Sequence, residues 1–173
     1  DTNSHRLNCV REKLGVGARL YSSLDDMLVA EKLDAVIITT PDFCHEECAV
    51  KAVRANCNVL IDKPLAPTVK ACQHIIAEAE NAGKVLMIGF NLRHHPVLMK
   101  IKEMIDEGMG GRIFLMENRE FYNGGRTYMA RWNRFYEKCG GLWIHKGSHD
   151  FDVFQWLMNF PKPVRVNAFA DVS

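Results

Sequence analysis

Two stretches decide the fold: Asp34-Ala35-Val36-Ile37-Ile38-Thr39-Thr40-Pro41 and Asn58-Val59-Leu60-Ile61-Asp62-Lys63-Pro64. Each is a short run of β-branched and aliphatic residues closed by a proline, and a third run, Lys84-Val85-Leu86-Met87-Ile88, follows. Such runs bounded by turn formers read as strands. Their continuous apolar character suits a parallel sheet covered on both faces. Between them the spacing changes to that of helices. Leu24, Met27 and Leu28 mark one, with Ser22 or Ser23 as N-cap and Asp25 and Asp26 in its first turn. Cys48, Ala49, Ala52 and Val53 mark a second. Val69, Cys72, Ile76 and Ala79 mark a third, with Thr68 to cap it and Gly83 to end it. Strand, helix, strand at this spacing means right-handed crossovers and a doubly wound α/β sheet. A further helix, Ser4 to Leu14, opens the chain with no strand before it.

The pattern changes after Gly89. Val97, Leu98, Ile101, Met104 and Ile105 define an amphipathic helix that ends at Gly108-Met109-Gly110-Gly111. Arg112 to Tyr122 reads as a long strand, Asn123 to Gly141 as a polar loop, and Ser148 to Asn159 as a helix. From Val164 to Val172 apolar and other residues alternate strictly, which marks a strand with one wet face and hence an antiparallel sheet. The expected division is a partial dinucleotide-type α/β domain over residues 1–92 and a partial α+β domain over residues 93–173.

Composition narrows the function classes. The 173 residues carry a net charge of +1, whereas nucleic-acid binders show a strong basic excess. No apolar run approaches the ~20 residues needed to span a bilayer. Asp1-Thr2-Asn3-Ser4-His5-Arg6 lacks the apolar core of a signal peptide. The expectation is a soluble, cytoplasmic protein with neither nucleic acid nor membrane as partner. The six cysteines form no C-x-x-C pair and are expected to be reduced thiols.

Two places hold residues suited to chemistry. In an open parallel sheet the ligand crevice lies outside the carboxyl ends of the strands, where Thr40-Pro41 and Asp62-Lys63-Pro64 fall. Lys63 would project into it, although a solvated turn lysine at a plain strand end reads the same way. The second place is Gly140-Gly141-Leu142-Trp143-Ile144-His145-Lys146-Gly147-Ser148-His149-Asp150-Phe151-Asp152. With Ser148 as N-cap, His149 begins a helix, where position disfavours imidazolium and keeps a neutral base. Asp152, on the same helix face, would instead favour the charged form. Arg126, Arg131 and Arg134, interleaved with Tyr128, Trp132 and Phe135, would make a wall suited to anions or sugar rings. Packing and solvation explain that wall equally well. His145, His149 and Asp152 have a spacing open to a metal, but without H-E-x-x-H or a cysteine cluster the expectation is no metal.

Thr40-Pro41 with His45, Asp62-Lys63-Pro64, Gly89-Phe90-Asn91-Leu92-Arg93-His94-His95-Pro96, and Gly140-Gly141 with Gly147-Ser148-His149 and Asp152 resemble, in order and spacing, the Gfo/Idh/MocA family of nicotinamide-dependent oxidoreductases. The resemblance covers nearly the whole chain. It implies a Rossmann domain followed by an α+β domain with a large open antiparallel sheet. It implies NAD or NADP as cofactor, bound by Asp1, Thr40, Pro41, His45, Asp62, Lys63, Pro64, Asn91 and Arg93. It also implies a sugar, cyclitol or related polyol as substrate, beside Arg126, Trp132, Arg134, Trp143 and Asp152. Lys63 would reach the nicotinamide ribose and the reacting hydroxyl, and His149 would be the acid/base at the reacting carbon.

Three departures are visible. The family's glycine-rich fingerprint would precede Asp1, since Gly15-Val16-Gly17-Ala18 follows a helix and reads as a helix stop. Asp1 would match the acid that binds the adenosine ribose and favours NAD. Asp62 stands where glutamate is more usual. His145 stands where many members carry an aspartate, four residues before the histidine, so His145 or Lys146 would take that part. Most of the second domain would follow Ser173, so these 173 residues alone are expected to be inactive and the full-length protein to be a homo-oligomer. Two alternatives stay open: a glycosidase that uses NAD without net redox, and a non-catalytic dinucleotide-binding regulator.

Overall fold

The computed structural model describes residues 1–15 and 17–170. Its elements run α1 (Ser4–Leu14), α2 (Leu24–Ala30), β1 (Ala35–Ile38), α3 (His45–Arg54), β2 (Asn58–Asp62), α4 (Val69–Asn81), β3 (Leu86–Gly89), α5 (Pro96–Asp106), α6 (Gly125–Met129), α7 (Tyr136–Cys139), α8 (Leu142–His145) and α9 (Ser148–Leu157). The caps explain the boundaries. Ser23 Oγ accepts the Asp26 N–H at 3.3 Å and starts α2, and Thr68 Oγ1 accepts the Ala71 N–H at 3.2 Å and starts α4. Gly15, at φ 59°, closes α1 by donating its N–H to Arg11, which makes it the helix stop expected of it. Val16 lies outside the described residues.

β1, β2 and β3 form a parallel sheet in that order, with Val36 opposite Val59 and Ile61 opposite Ile88. Val36, Ile38, Val59 and Ile61 point to one face and are buried there by Ala49, Ala52 and Val53 of α3 and Ala71, Ile75 and Ala79 of α4. Burying a Val or Ile side chain contributes roughly 1.5–3 kcal/mol, so this face holds the sheet together. The alanines let both helices approach closely. The other face is bare: Ile37 is 69% and Met87 51% exposed. Coverage on both faces is thus not what the described residues show. Right-handed crossovers that step in one direction across a sheet put their helices on one side. Both α3 and α4 belong to such steps.

The second region departs further from expectation. Residues 113–124 and 161–170 have no regular structure, where strands were expected over Arg112 to Tyr122 and Val164 to Val172. Residues 171–172 lie outside the described residues. Alternation encodes a two-faced strand, but a strand exists only where its N–H and C=O groups meet a ladder partner. Among the described residues neither stretch has one. Phe121 and Val164 are 95% and 100% exposed accordingly. The antiparallel sheet is therefore not seen among these residues. The expected polar loop contains α6 and α7 instead, and α9 packs against α5 and the turn after β3. Among the described residues no helix is long and apolar enough to cross a membrane.

Candidate active site

The carboxyl ends of β1 and β2 are held by one buried histidine. His45, the first residue of α3, is fully buried, with Nδ1 2.9 Å from the Pro64 oxygen and Nε2 2.9 Å from the Thr40 oxygen. It ties the two proline-bearing turns to each other. His45 and Pro64, which the resemblance implies as cofactor-binding residues, are both buried at this edge. Thr40 and Asp62 stay exposed, and an Asp62 carboxylate oxygen accepts the Lys63 N–H at 2.9 Å.

Lys63 turns from this edge toward the second region. Its Nζ donates to the main-chain oxygen of His145 at 2.7 Å. Burial lowers the Lys63 amine below the ordinary lysine value; the charges of Asp42 and Asp62 oppose this and Lys146 adds to it. Gly140 and Gly141 let the second region come this close. At Gly140, φ 73°, a Cβ would stand 2.7 Å from the Pro67 oxygen, so the chain carrying α8 presses on the segment that follows Pro64.

The His145 ring is held by Asp42, whose Oδ2 lies 2.6 Å from Nδ1, and by Asn133, whose Nδ2 lies 2.9 Å from Nε2. Tyr128 and Trp132 pack against the same ring at 5.7 and 5.4 Å. Asp42 and Asn133 escaped the sequence reading. Their partner lies on another element, and only an acid directly behind Thr40-Pro41 hints at the first.

His149 follows in α9. Gly147, not Ser148, occupies the cap position, so Ser148 is the first helical residue and makes no capping bond. Burial lowers the His149 imidazole below its ordinary value, and the charges of Lys63 and Lys146 lower it further, against Asp152 and Asp62. The neutral form prevails, through burial and two cations. Phe90 packs edge-on at 6.2 Å. His149 Nδ1 and Ser148 Oγ are buried with no protein partner. Such orphaned atoms in a charged crevice are what polar groups of a bound molecule satisfy.

Other expected site residues are engaged with one another or with neighbouring rings. Arg93 and Asp152 engage one another in a two-pronged ion pair, Nε to Oδ2 at 2.8 Å, with Asp152 8% exposed. Asp152 is therefore committed to fastening α9 to the turn after β3 and is not a free group for substrate. Lys146 pairs with Glu120 at 3.0 Å while its charge still reaches Lys63 and His149, and the carboxylate beside the His145 ring is that of Asp42. Trp132 packs at His145, Arg134 stacks over Phe135 at 4.6 Å, and Trp143 lies against Phe151. Arg126 and Asn91 are exposed. The exposed Asp1 carboxylate accepts the Asn3 N–H at 2.9 Å. No metal-binding cluster is found among the described residues.

Residues 1–90 match the model of an oxidoreductase family with an NAD-binding Rossmann fold, and residues 102–171 match the C-terminal alpha/beta domain of the same family. YteT of Bacillus subtilis (strain 168) is 36% identical over 154 residues, covering 87% of this chain and 36% of that protein. Inositol 2-dehydrogenase of Salmonella typhimurium (strain LT2) is 29% identical over 160 residues, covering 92% of this chain and 45% of that one. The WlbA dehydrogenase from Bordetella pertussis, solved with NADH and UDP-GlcNAcA, superposes with a TM-score of 0.82 at 30% identity, covering 91% of this chain and 49% of that one. The chain spans less than half the length of these relatives. With a parallel sheet and both family models matched in order, the chain belongs to the Gfo/Idh/MocA oxidoreductase family.

Proposed function

We propose that the protein of which these residues form a part is a dehydrogenase that moves a hydride between NAD and a hydroxyl-bearing carbon of a sugar, cyclitol or related polyol. One observation carries the reading: a partly buried lysine at the carboxyl edge of a parallel sheet bonds to the segment that leads into α9, and its charge helps hold the partly buried His149 of that helix neutral. The names of the relatives, inositol 2-dehydrogenase and D-glucoside 3-dehydrogenase, support the substrate class.

The dinucleotide fits this crevice. Thr40, Asp62, Lys63 and Asn91 stand at or just beyond the strand ends, and His149 Nδ1 and Ser148 Oγ await partners there. NAD is favoured over NADP because a carboxylate at Asp1 pairs with ribose hydroxyls and repels a 2′-phosphate. The bound dinucleotide supplies the hydride acceptor. The residues do the rest. His149, neutral at physiological pH, takes the proton of the reacting hydroxyl. Lys63 donates to the same oxygen as negative charge develops on it. The boundary between the cofactor and substrate regions falls at residues 92–93.

Incubation of the full-length protein with NAD and a panel of cyclitols and glycosides tests the reading. The expected result is free NADH formed in step with oxidised polyol. Glycoside cleavage with no free NADH would assign the protein to the non-redox class. NAD binding without turnover, unchanged in His149→Ala, would make it a regulator.

A further inference from the structure

Asp42 opens the 3-10 turn Asp42–Cys44 behind Thr40-Pro41 and is 4% exposed. A carboxylate at that depth is unfavourable unless it is paired. Its partner lies 103 residues away, on the second region: the His145 ring, Nδ1 to Oδ2 at 2.6 Å. The other ring nitrogen receives the Asn133 amide N–H at 2.9 Å, so Nε2 accepts and the ring proton sits on Nδ1, facing Asp42. The turn that presents Asn133 is itself fixed, because the buried Cys139 thiol donates to the Asn133 oxygen at 3.1 Å. With Tyr128 and Trp132 packed against it as well, the ring is held in one orientation and one tautomer.

The main chain of the same histidine does a second job. Its oxygen accepts from Lys63 Nζ at 2.7 Å, so whatever fixes residue 145 also aims the ammonium. The charged or titratable groups acting around Lys63 are Asp42 from the turn after β1, Asp62 at the end of β2, Lys146 after α8, and His145 and His149. Of the two carboxylates, Asp62 is exposed and screened by water, and one of its oxygens is committed to a main-chain N–H. Asp42 is dry, where a charge acts at low dielectric and with little screening.

We propose that Asp42 is a positioning residue for Lys63: by holding the His145 ring it fixes the main-chain acceptor that aims the ammonium, and its buried charge favours that ammonium through the same clasp. It also latches the first region to the second at the reacting edge. The proposal rests on the dehydrogenase reading only in taking the oxygen that Lys63 serves to be the substrate hydroxyl.

The test uses the full-length protein and its Asp42→Asn variant. Lys63 is labelled with an acylating amine reagent across a pH series and quantified by mass spectrometry of its peptide. Only the free amine reacts, so loss of the Asp42 charge is expected to lower the labelling midpoint by about one pH unit, a ~tenfold faster reaction at a given pH. His145→Gln offers Asp42 a side-chain amide N–H in place of the ring, so the midpoint is expected to move less than in Asp42→Asn while kcat falls. In Asp42→Asn, kcat is expected to fall roughly 10- to 100-fold, with NAD affinity within about twofold of the parent, since aim is lost and binding is not. If Asp42→Asn does not fold, nitrogen NMR of His145 in the parent protein decides: a proton on Nδ1 supports the proposal, and one on Nε2 overturns it. An unchanged labelling midpoint in a folded Asp42→Asn also overturns it. A lowered midpoint in a protein that oxidises no polyol supports the link from Asp42 to Lys63 and overturns the dehydrogenase reading instead.

Discussion

Lys63 Nζ lies 2.7 Å from the main-chain oxygen of His145, a bond that joins residues 82 positions apart. It brings the carboxyl edge of the parallel sheet to the segment preceding α9. A lysine has three N–H donors, so one bond to a carbonyl holds the side chain and leaves two to serve another oxygen.

That geometry sets the expected behaviour of Lys63→Met in the full-length enzyme. The methionine fills the space but can neither donate nor carry charge. We expect kcat to fall roughly 10²- to 10⁴-fold while NAD affinity changes little, because the lost interaction matters most where charge develops in the transition state. Steady-state kinetics with a separate NAD titration check this. An equal loss of NAD affinity at unchanged kcat would make Lys63 a binding residue alone.

His149 sets a pH dependence with a definite sign. Its imidazole is held below the ordinary value of 6.5, by burial first and by the Lys63 and Lys146 charges next. The native ring therefore binds a proton more weakly than the unfolded one. Its contribution to stability is fully present above 6.5 and is lost as pH falls through the depressed folded value. Activity follows the same direction, since the base must be neutral, so the acid limb of kcat/KM, which reports the free protein, should lie below 6.5. Urea unfolding from pH 7.5 to about 5 is expected to show a slope that His149→Gln flattens. A slope that survives the substitution would place the titrating group elsewhere.

Legibility followed the range of the interactions. The parallel strands, the Ser23 and Thr68 caps and the Gly15 stop were readable because each depends on residues a few positions apart. The bare face of the sheet was not, because burial depends on which side the crossovers place α3 and α4, and apolar runs are silent on that. The alternation in residues 164–170 describes a strand that needs a partner, and no partner is encoded in that segment itself. At the candidate site, the positions of Lys63 and His149 at element ends are legible from the strand and helix patterns around them. Asp42 was hidden because its partner is 103 residues away. The pairing of Arg93 with Asp152 is hidden for a similar reason: two polar residues 59 positions apart look free until the fold pairs them.

The Arg93–Asp152 pair should therefore act on stability more than on binding. Removing one partner of a fully buried pair costs about 3–5 kcal/mol. Asp152 is 7% exposed at its side chain but Arg93 is 33%, so screening reduces the expectation for Arg93→Met to about 2–3 kcal/mol. Arg93→Lys keeps the charge but loses the fork, and should recover only part of that loss. Urea midpoints measure both, and KM for the polyol should stay near that of the parent. An Arg93→Lys variant as stable as the parent, or a large KM effect, would return Asp152 to the substrate side.

Gly140 tests how tightly the two regions must meet. Its φ of 73° is one that L side chains resist, and an added Cβ would stand 2.7 Å from the Pro67 oxygen and 2.8 Å from Ile144 Cδ1. The Ile144 methyl can rotate aside, but the Pro67 oxygen is main chain in a buried segment just beyond Pro64 and has nowhere to go. The left-handed conformation alone costs about 1–2 kcal/mol for a residue with a Cβ. The clash adds to this by lifting α8 off the sheet edge, and α8 carries the oxygen that Lys63 grips. Gly140→Ala in the full-length enzyme is thus expected to lose about 2–4 kcal/mol of stability by urea unfolding. It should also lose kcat out of proportion to NAD affinity, because Lys63 loses its anchor while the strand ends remain. Gly83→Ala is the control: its φ is 63° but nothing lies within 4 Å of the added Cβ, so only the conformational cost applies. If Gly140→Ala and Gly83→Ala lose equal stability and both keep full kcat, the close approach at Pro67 does not hold the site together.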